Sequence, residues 1–217
     1  MPALPGAWTL CYKVETMTDL ERAMLDIAEV RDRLAMAQRF RGISGVAAIA
    51  SGCFAIAAGV LQALLVAVPG AGHDSRVYAS IWLVCGTAAM IVNYASIAHW
   101  FVSDASARDR WQTRTVGLAI LPAIALGAAL TLAMITRGAF SYLPGVWYGC
   151  YGVGLFASRT MLPRDVLPIS AFFLVAGIAL LFAPSSIALA WWVLPVGFGV
   201  GQIAIGVLVG RDRLENP

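Results

Sequence analysis

The chain has 217 residues, of which 60% are hydrophobic and 12% charged, with a formal net charge of +3. A soluble domain carries about a quarter charged residues, so this composition excludes a globule covered by water. The arginines stand at the ends of apolar runs with no interleaved basic and aromatic surface, which excludes nucleic acid as the partner.

Residues 1–16 hold no long apolar core and no small-residue cleavage site, so they read as a flexible leader and not as a signal peptide. Met17-Thr18-Asp19-Leu20 reads as a natural start. From 17 to 42 the pattern predicts one amphipathic cytoplasmic helix. Thr18 and Glu21 have capping-box spacing, in which a hydroxyl and a carboxylate satisfy each other's free amides. Leu20, Ala23, Ile27, Val30, Leu34 and Ala37 then recur three and four apart and form one association stripe. Acids crowd the first part of this segment and arginines the last, which complements the helix macrodipole. The stripe has two readings: a helix docked on the cytoplasmic face of its own bundle, or a coiled coil that joins copies of the chain or a protein partner. The mixed charge of residues 18–41 argues against a helix lying on lipid.

Six uncharged apolar runs follow within 43–210, at 44–68, 77–102, 116–136, 140–158, 166–183 and 187–210. About 20 residues at helical rise cross the hydrocarbon of a bilayer. The runs are continuously apolar and lack the period-two alternation of barrel strands, so the fold class expected is all-α: a polytopic membrane protein of six transmembrane helices plus the N-terminal helix. Thirteen of the fifteen basic residues, Lys13 to Arg213, fall on one side of such a bundle, leaving Arg76 and Arg137 on the other. By the positive-inside rule both termini, including the tail 211–217, are then cytoplasmic. Trp82, Trp147, Trp191 and Trp192 stand near the starts of helices that return from outside and are expected in the outer aromatic belt. The outer connections are too short to fold, so the patterned surface outside the lipid is the leading helix, the inner loops 103–115 and 159–165, and the tail.

Three groups of residues inside the runs were candidates for chemistry. Asn93, Ser96 and His99 stand three apart near the inner end of the second run and, with Gln62 and Gln202, form a candidate ligand pocket; the alternative is a set of interhelical hydrogen bonds. Pro195, Gly197, Gly199 and Gly201 form a candidate helix break, because proline removes a backbone donor and glycine lowers stiffness; the alternative is a packed proline kink. Gly145-x-x-x-Gly149, Gly197-x-x-x-Gly201 and the series Ser51, Ala55, Gly59, Ala63 let helix backbones approach closely. Cys11, Cys53, Cys85 and Cys150 have no metal-ligand spacing and read as small hydrophobes. No intramembrane carboxylate, H-E-x-x-H, G-x-S-x-G or phosphate loop occurs, so no catalytic residue, cofactor or metal is assigned.

Met17-Thr-Asp-Leu20, Arg39-Phe-Arg-Gly42, Leu143-Pro-Gly-Val-Trp147, Phe156-Ala-Ser-Arg159, Leu162-Pro-Arg164 and Gly199-Val-Gly-Gln202 resemble a family of uncharacterised bacterial six-span membrane proteins. The resemblance runs from Met17 to the end and implies a multi-pass protein of the bacterial inner membrane with the same short cytoplasmic helix. It implies no activity. The functional expectation is a non-enzymatic scaffold or sensor that works through its cytoplasmic helix, in contact with membrane lipids and as a homo-oligomer. The alternative is a transporter or channel for a small neutral or amphipathic solute.

Overall fold

A computed structural model describes residues 21, 23, 24, 27, 44–67, 74–103, 105–159, 162 and 164–215, and all regular structure among them is helical. The chain divides into two units, Met1–Arg39 and Phe40–Pro217. In the first, Glu21, Ala23, Met24 and Ile27 are helical and exposed. Leu20, Val30, Leu34 and Ala37 of the association stripe lie outside the described residues, as do the leader and the Thr18 cap.

In the second unit, α1 (Gly45–Val66), α2 (Ser75–Ser103) and α3 (Ala107–Thr136) are long and apolar enough to cross a membrane. They are followed by α4 (Leu143–Ala157), α5 (Leu167–Phe182), the single turn α6 (Ser185–Ala188) and α7 (Gly201–Glu215). Short 3-10 turns at Phe140–Tyr142 and Arg164–Val166 lead into α4 and α5. A wide π turn at Pro195–Val200 leads into α7.

Local chemistry sets the ends of these helices. The Ser44 hydroxyl accepts from the Ala47 amide at 3.3 Å and starts α1. The Asp74 carboxylate accepts from the Arg76 amide at 2.8 Å at the head of α2. After α3, Gly138 takes φ +69 while the Ala139 amide reaches the Met134 carbonyl at 2.8 Å. That is the six-to-one closure of a helix stopped by glycine.

One boundary corrects the sequence reading. The inner connection expected over 103–115 is helical from Ala107 onward, so α3 begins nine residues before the apolar run. Ser106 and Asp109 form the cap: the Asp109 amide donates to the Ser106 hydroxyl at 3.3 Å, and the Ser106 amide donates to the Asp109 carboxylate at 3.0 Å. A capped helix continues past the hydrocarbon edge because water supports its charged turns. Run hydropathy marks only where the lipid ends.

Within this unit α1 packs against α2, α7 and the π turn, while α4 packs against α3 and α5. The seam of α1 with the π turn and α7 is one of close backbone approach. A Cβ built on Gly45 would lie 2.6 Å from the Gly206 carbonyl oxygen, and one on Gly52 would lie 2.6 Å from that of Gly199. One on Gly59 would overlap the Pro195 ring. These three glycines are seven apart, the repeat of a left-handed helix pair. A second close approach joins α4 and α5, where a Cβ on Gly177 would lie 2.6 Å from the Gly149 nitrogen and 3.0 Å from the Gly145 oxygen. In a lipid solvent such contacts supply the dispersion that holds helices together.

Candidate functional site

A buried cluster knits the second unit across five elements: Ala55 and Ala58 from α1, Tyr78 and Trp82 from α2, Tyr148 from α4, Phe173 from α5, and Val193 with Leu194 ahead of the π turn. Half of these residues are aromatic. Tyr148 lies with its ring centroid 5.1 Å from Phe173 and 5.2 Å from Phe198, and Tyr151 stands edge-on to Phe173 at 4.8 Å. Such tilted and edge-on pairs set positive ring edges against negative faces.

The polar atoms of this cluster are few and specifically placed. The Tyr148 hydroxyl donates to the Val193 carbonyl at 2.5 Å. It reaches that carbonyl from α4 just where the chain passes from the ordinary to the wide helical form, and a side chain that bonds into a helix ladder is one of the identifiable causes of helix distortion. The wide turn at Pro195–Val200 lies there. Gly197 must be glycine at this place, since a Cβ would collide with the Tyr148 hydroxyl.

Gln62 occupies the cluster's edge with both ends of its amide engaged. Its Nε2 donates to the Leu189 carbonyl at 2.9 Å, and its Oε1 accepts from the Trp82 indole at 2.8 Å. Leu189 belongs to the irregular stretch between α6 and the π turn, so Gln62 ties that stretch to α1 and α2. One polar group near it is unanswered. The Tyr78 hydroxyl is buried and has no hydrogen-bond partner among the described residues, in the same cluster as Tyr148.

The five residues of the candidate pocket do not converge. Gln62 is held by Trp82 and Leu189, and Gln202 Nε2 donates to the Tyr151 hydroxyl at 2.7 Å. Asn93 Nδ2 donates to the Ser51 hydroxyl at 2.6 Å and to the Ala89 carbonyl at 2.8 Å. Ser96 is half-buried and His99 is exposed, its carbonyl accepting from Ser103. Each amide is answered by a separate partner, because an unpaired amide inside an apolar bundle is costly.

The glycines and proline of the candidate break also separate in role. Pro195 sits over Gly59, Gly199 over Gly52 and Ile56, Gly197 over Tyr148 and Gly201 over Phe173. The chain there remains helical, in the wide form, and the irregular residues come just before it, at Leu189–Trp192.

Of the four tryptophans expected in the outer belt, two are tied to neighbouring helices. Trp82 is buried against Gln62, and Trp147 donates to the Thr131 hydroxyl at 2.9 Å. An indole N–H within an apolar bundle needs an acceptor, and both find one on a neighbouring helix. Trp191 and Trp192 are about half exposed.

Tyr78, Tyr148 and Tyr151 were not singled out from the sequence. Their only signal was that Tyr148 and Tyr151 stand three apart on a helix opened by Pro144-Gly145, a spacing that most packed aromatics share. No protein-family model matches the chain, and neither a curated protein nor a solved structure matches it.

Proposed function

We propose that the chain is a six-span protein of the bacterial inner membrane, both termini cytoplasmic, acting as a non-enzymatic scaffold or sensor. Three helices long and apolar enough to cross a membrane support the membrane assignment. For the remaining three spans the support is that α4 and α5 are lengthened by their 3-10 turns, to 140–157 and 164–182. The last helical run extends over 193–215 with the π turn included. The one-sided arginines and the resemblance carry the orientation and the inner membrane. Reporter tags at the two ends test the topology; tags on opposite sides of the bilayer refute it.

The sensor reading is carried by the Tyr148 hydroxyl bonded to the Val193 carbonyl at the head of the wide turn, in the same cluster as an unanswered Tyr78 hydroxyl. If the Tyr148 hydroxyl turns from Val193 to Tyr78, the wide turn is free to relax to an ordinary α-turn. One hydrogen bond replaces another, so the two arrangements differ little in energy, which is the requirement for a two-state element. Passing between them removes one residue from the wide turn and rotates the chain on one side of it by about 100°. The N-terminal helix, residues 17–42, would read this out through self-association or a protein partner.

Tyr148→Phe should favour the ordinary turn and Tyr78→Phe the wide one, read as opposite changes in the backbone chemical shifts of Gly197 and Gly199 in lipid. Crosslinking through residues 17–42 should follow the same order. Identical spectra in both variants would sink the two-state element, and partner recovery unchanged by deletion of 17–40 would remove the role of the helix. A second reading, passage of a small neutral solute, is favoured by the irregular Leu189–Trp192 stretch next to the wide turn. Swelling of vesicles that contain the purified protein in neutral solutes would support it over the sensor.

A further inference from the structure

The first two turns of α3 present a surface that neither the hydrogen bonding nor the packing of the bundle uses. Arg110, Trp111 and Arg114 are exposed, Trp111 at 66%. At 100° per residue the three lie within a 100° arc of the helix, with Arg114 between the other two. The Arg110 guanidinium lies over the Phe101 ring at 5.4 Å, which fixes it at the end of α2. Among the described residues no carboxylate pairs with either arginine.

The same arc continues upward as apolar surface. Leu118 and Leu121, at about 80° and 20° from Arg110, are 70% and 56% exposed. The buried residues of α3, such as Val116 and Ala123, lie on the opposite side. Measured along the axis, Arg114 and Arg110 stand about 3 and 9 Å before Val116, where the apolar run begins. In a membrane-crossing α3 that is the depth of the headgroups, and Trp111 stands between the two arginines at the level indoles prefer. The surface thus has the polarity profile of a phospholipid: two cations, one of them held by Phe101, an amphipathic ring, then an apolar track.

We propose that the Arg110–Arg114 face of α3 is a binding site for an anionic glycerophospholipid, its phosphate between the two guanidiniums and an acyl chain along Leu118 and Leu121. Guanidinium suits this role because its planar fork matches phosphate oxygens and it is weakly hydrated. The proposal rests on the membrane reading of α3 but not on the number of spans or the sensor role.

The test places the purified full chain in nanodiscs of phosphatidylcholine with 30% phosphatidylglycerol, each lipid brominated in turn on its acyl chain. Quenching of Trp111 is read as the difference between wild type and Trp111→Phe. Brominated phosphatidylglycerol should quench with about tenfold greater apparent affinity than brominated phosphatidylcholine. Arg110→Gln/Arg114→Gln should abolish that preference, while Arg137→Gln, at the other end of α3, should leave it intact. Equal quenching by both lipids in the wild type overturns the site, as does a preference that survives the double substitution. If the chain does not enter nanodiscs and neither lipid quenches, it is the membrane reading that fails.

Discussion

α1 and α3 are both long apolar helices, yet one is built to meet protein and the other to meet its surroundings. α1 buries Ala48, Ser51, Gly52, Ala55, Ala58, Gly59 and Gln62 along one stripe and touches its partners through backbone. α3 is mostly exposed, with a narrow buried line that includes Val116, Ala123 and Thr131. Hydropathy does not separate them. Small side chains at sevenfold spacing do, because where no water drives association, close approach determines which faces meet.

The same substitution at two glycines gives the strongest test of that contrast. Gly52→Ala should destabilise the folded chain by about 2 to 3 kcal/mol, since its Cβ meets the Gly199 carbonyl and the backbones must part. Gly86→Ala on α2, which meets nothing within 4 Å, should stabilise by about 0.5 to 1 kcal/mol through helix propensity. Thermal unfolding in mild detergent measures both, and a shared sign would break the comparison. Next in size, Gln62→Leu leaves the Trp82 indole and Leu189 carbonyl without partners and should cost about 1 to 2 kcal/mol in the same assay. Ser106→Ala removes the cap of α3 at a cost of about 1 kcal/mol, visible as faster hydrogen exchange at amides 107–110 with the unfolding midpoint nearly unmoved. The smallest effect belongs to the exposed face of α3: Leu132→Ala should shift stability by under about 0.5 kcal/mol. A large loss there would mean that this face is covered by a partner.

Helical class was legible in the residues, while the cap at Ser44 and the turn at Arg137–Gly138 are set by local chemistry that hydropathy does not weigh. The early start of α3 was also written there, in Ser106-x-x-Asp109, but a run of arginines reads as loop when only hydropathy is weighed. Spacing of four at Gly145 and Gly149 signalled a close backbone approach, and the structure supplies the partner, Gly177 of α5. The seven-residue series Gly45, Gly52, Gly59 stands equally in the sequence but does not follow the spacing of four. What no local rule could supply is the choice among partners. Gln62, Asn93 and Gln202 are alike as amides in apolar runs, and only the packing of distant helices decides that they serve Trp82, Ser51 and Tyr151 separately. The Tyr148 bond to Val193 is invisible for the same reason, since it joins residues 45 positions apart.

The seam between Gly45 and Gly206 has a consequence for biogenesis. At about 5 to 20 residues per second, the ribosome releases the α7 half of that contact some 8 to 30 seconds after the α1 half. During this interval Gln62 has Trp82 but not yet the Leu189 carbonyl, and α1 shows lipid a bare glycine groove. α1 is therefore complete only after α7 has followed it, and an insertase that shelters it over this interval should raise the yield of folded protein.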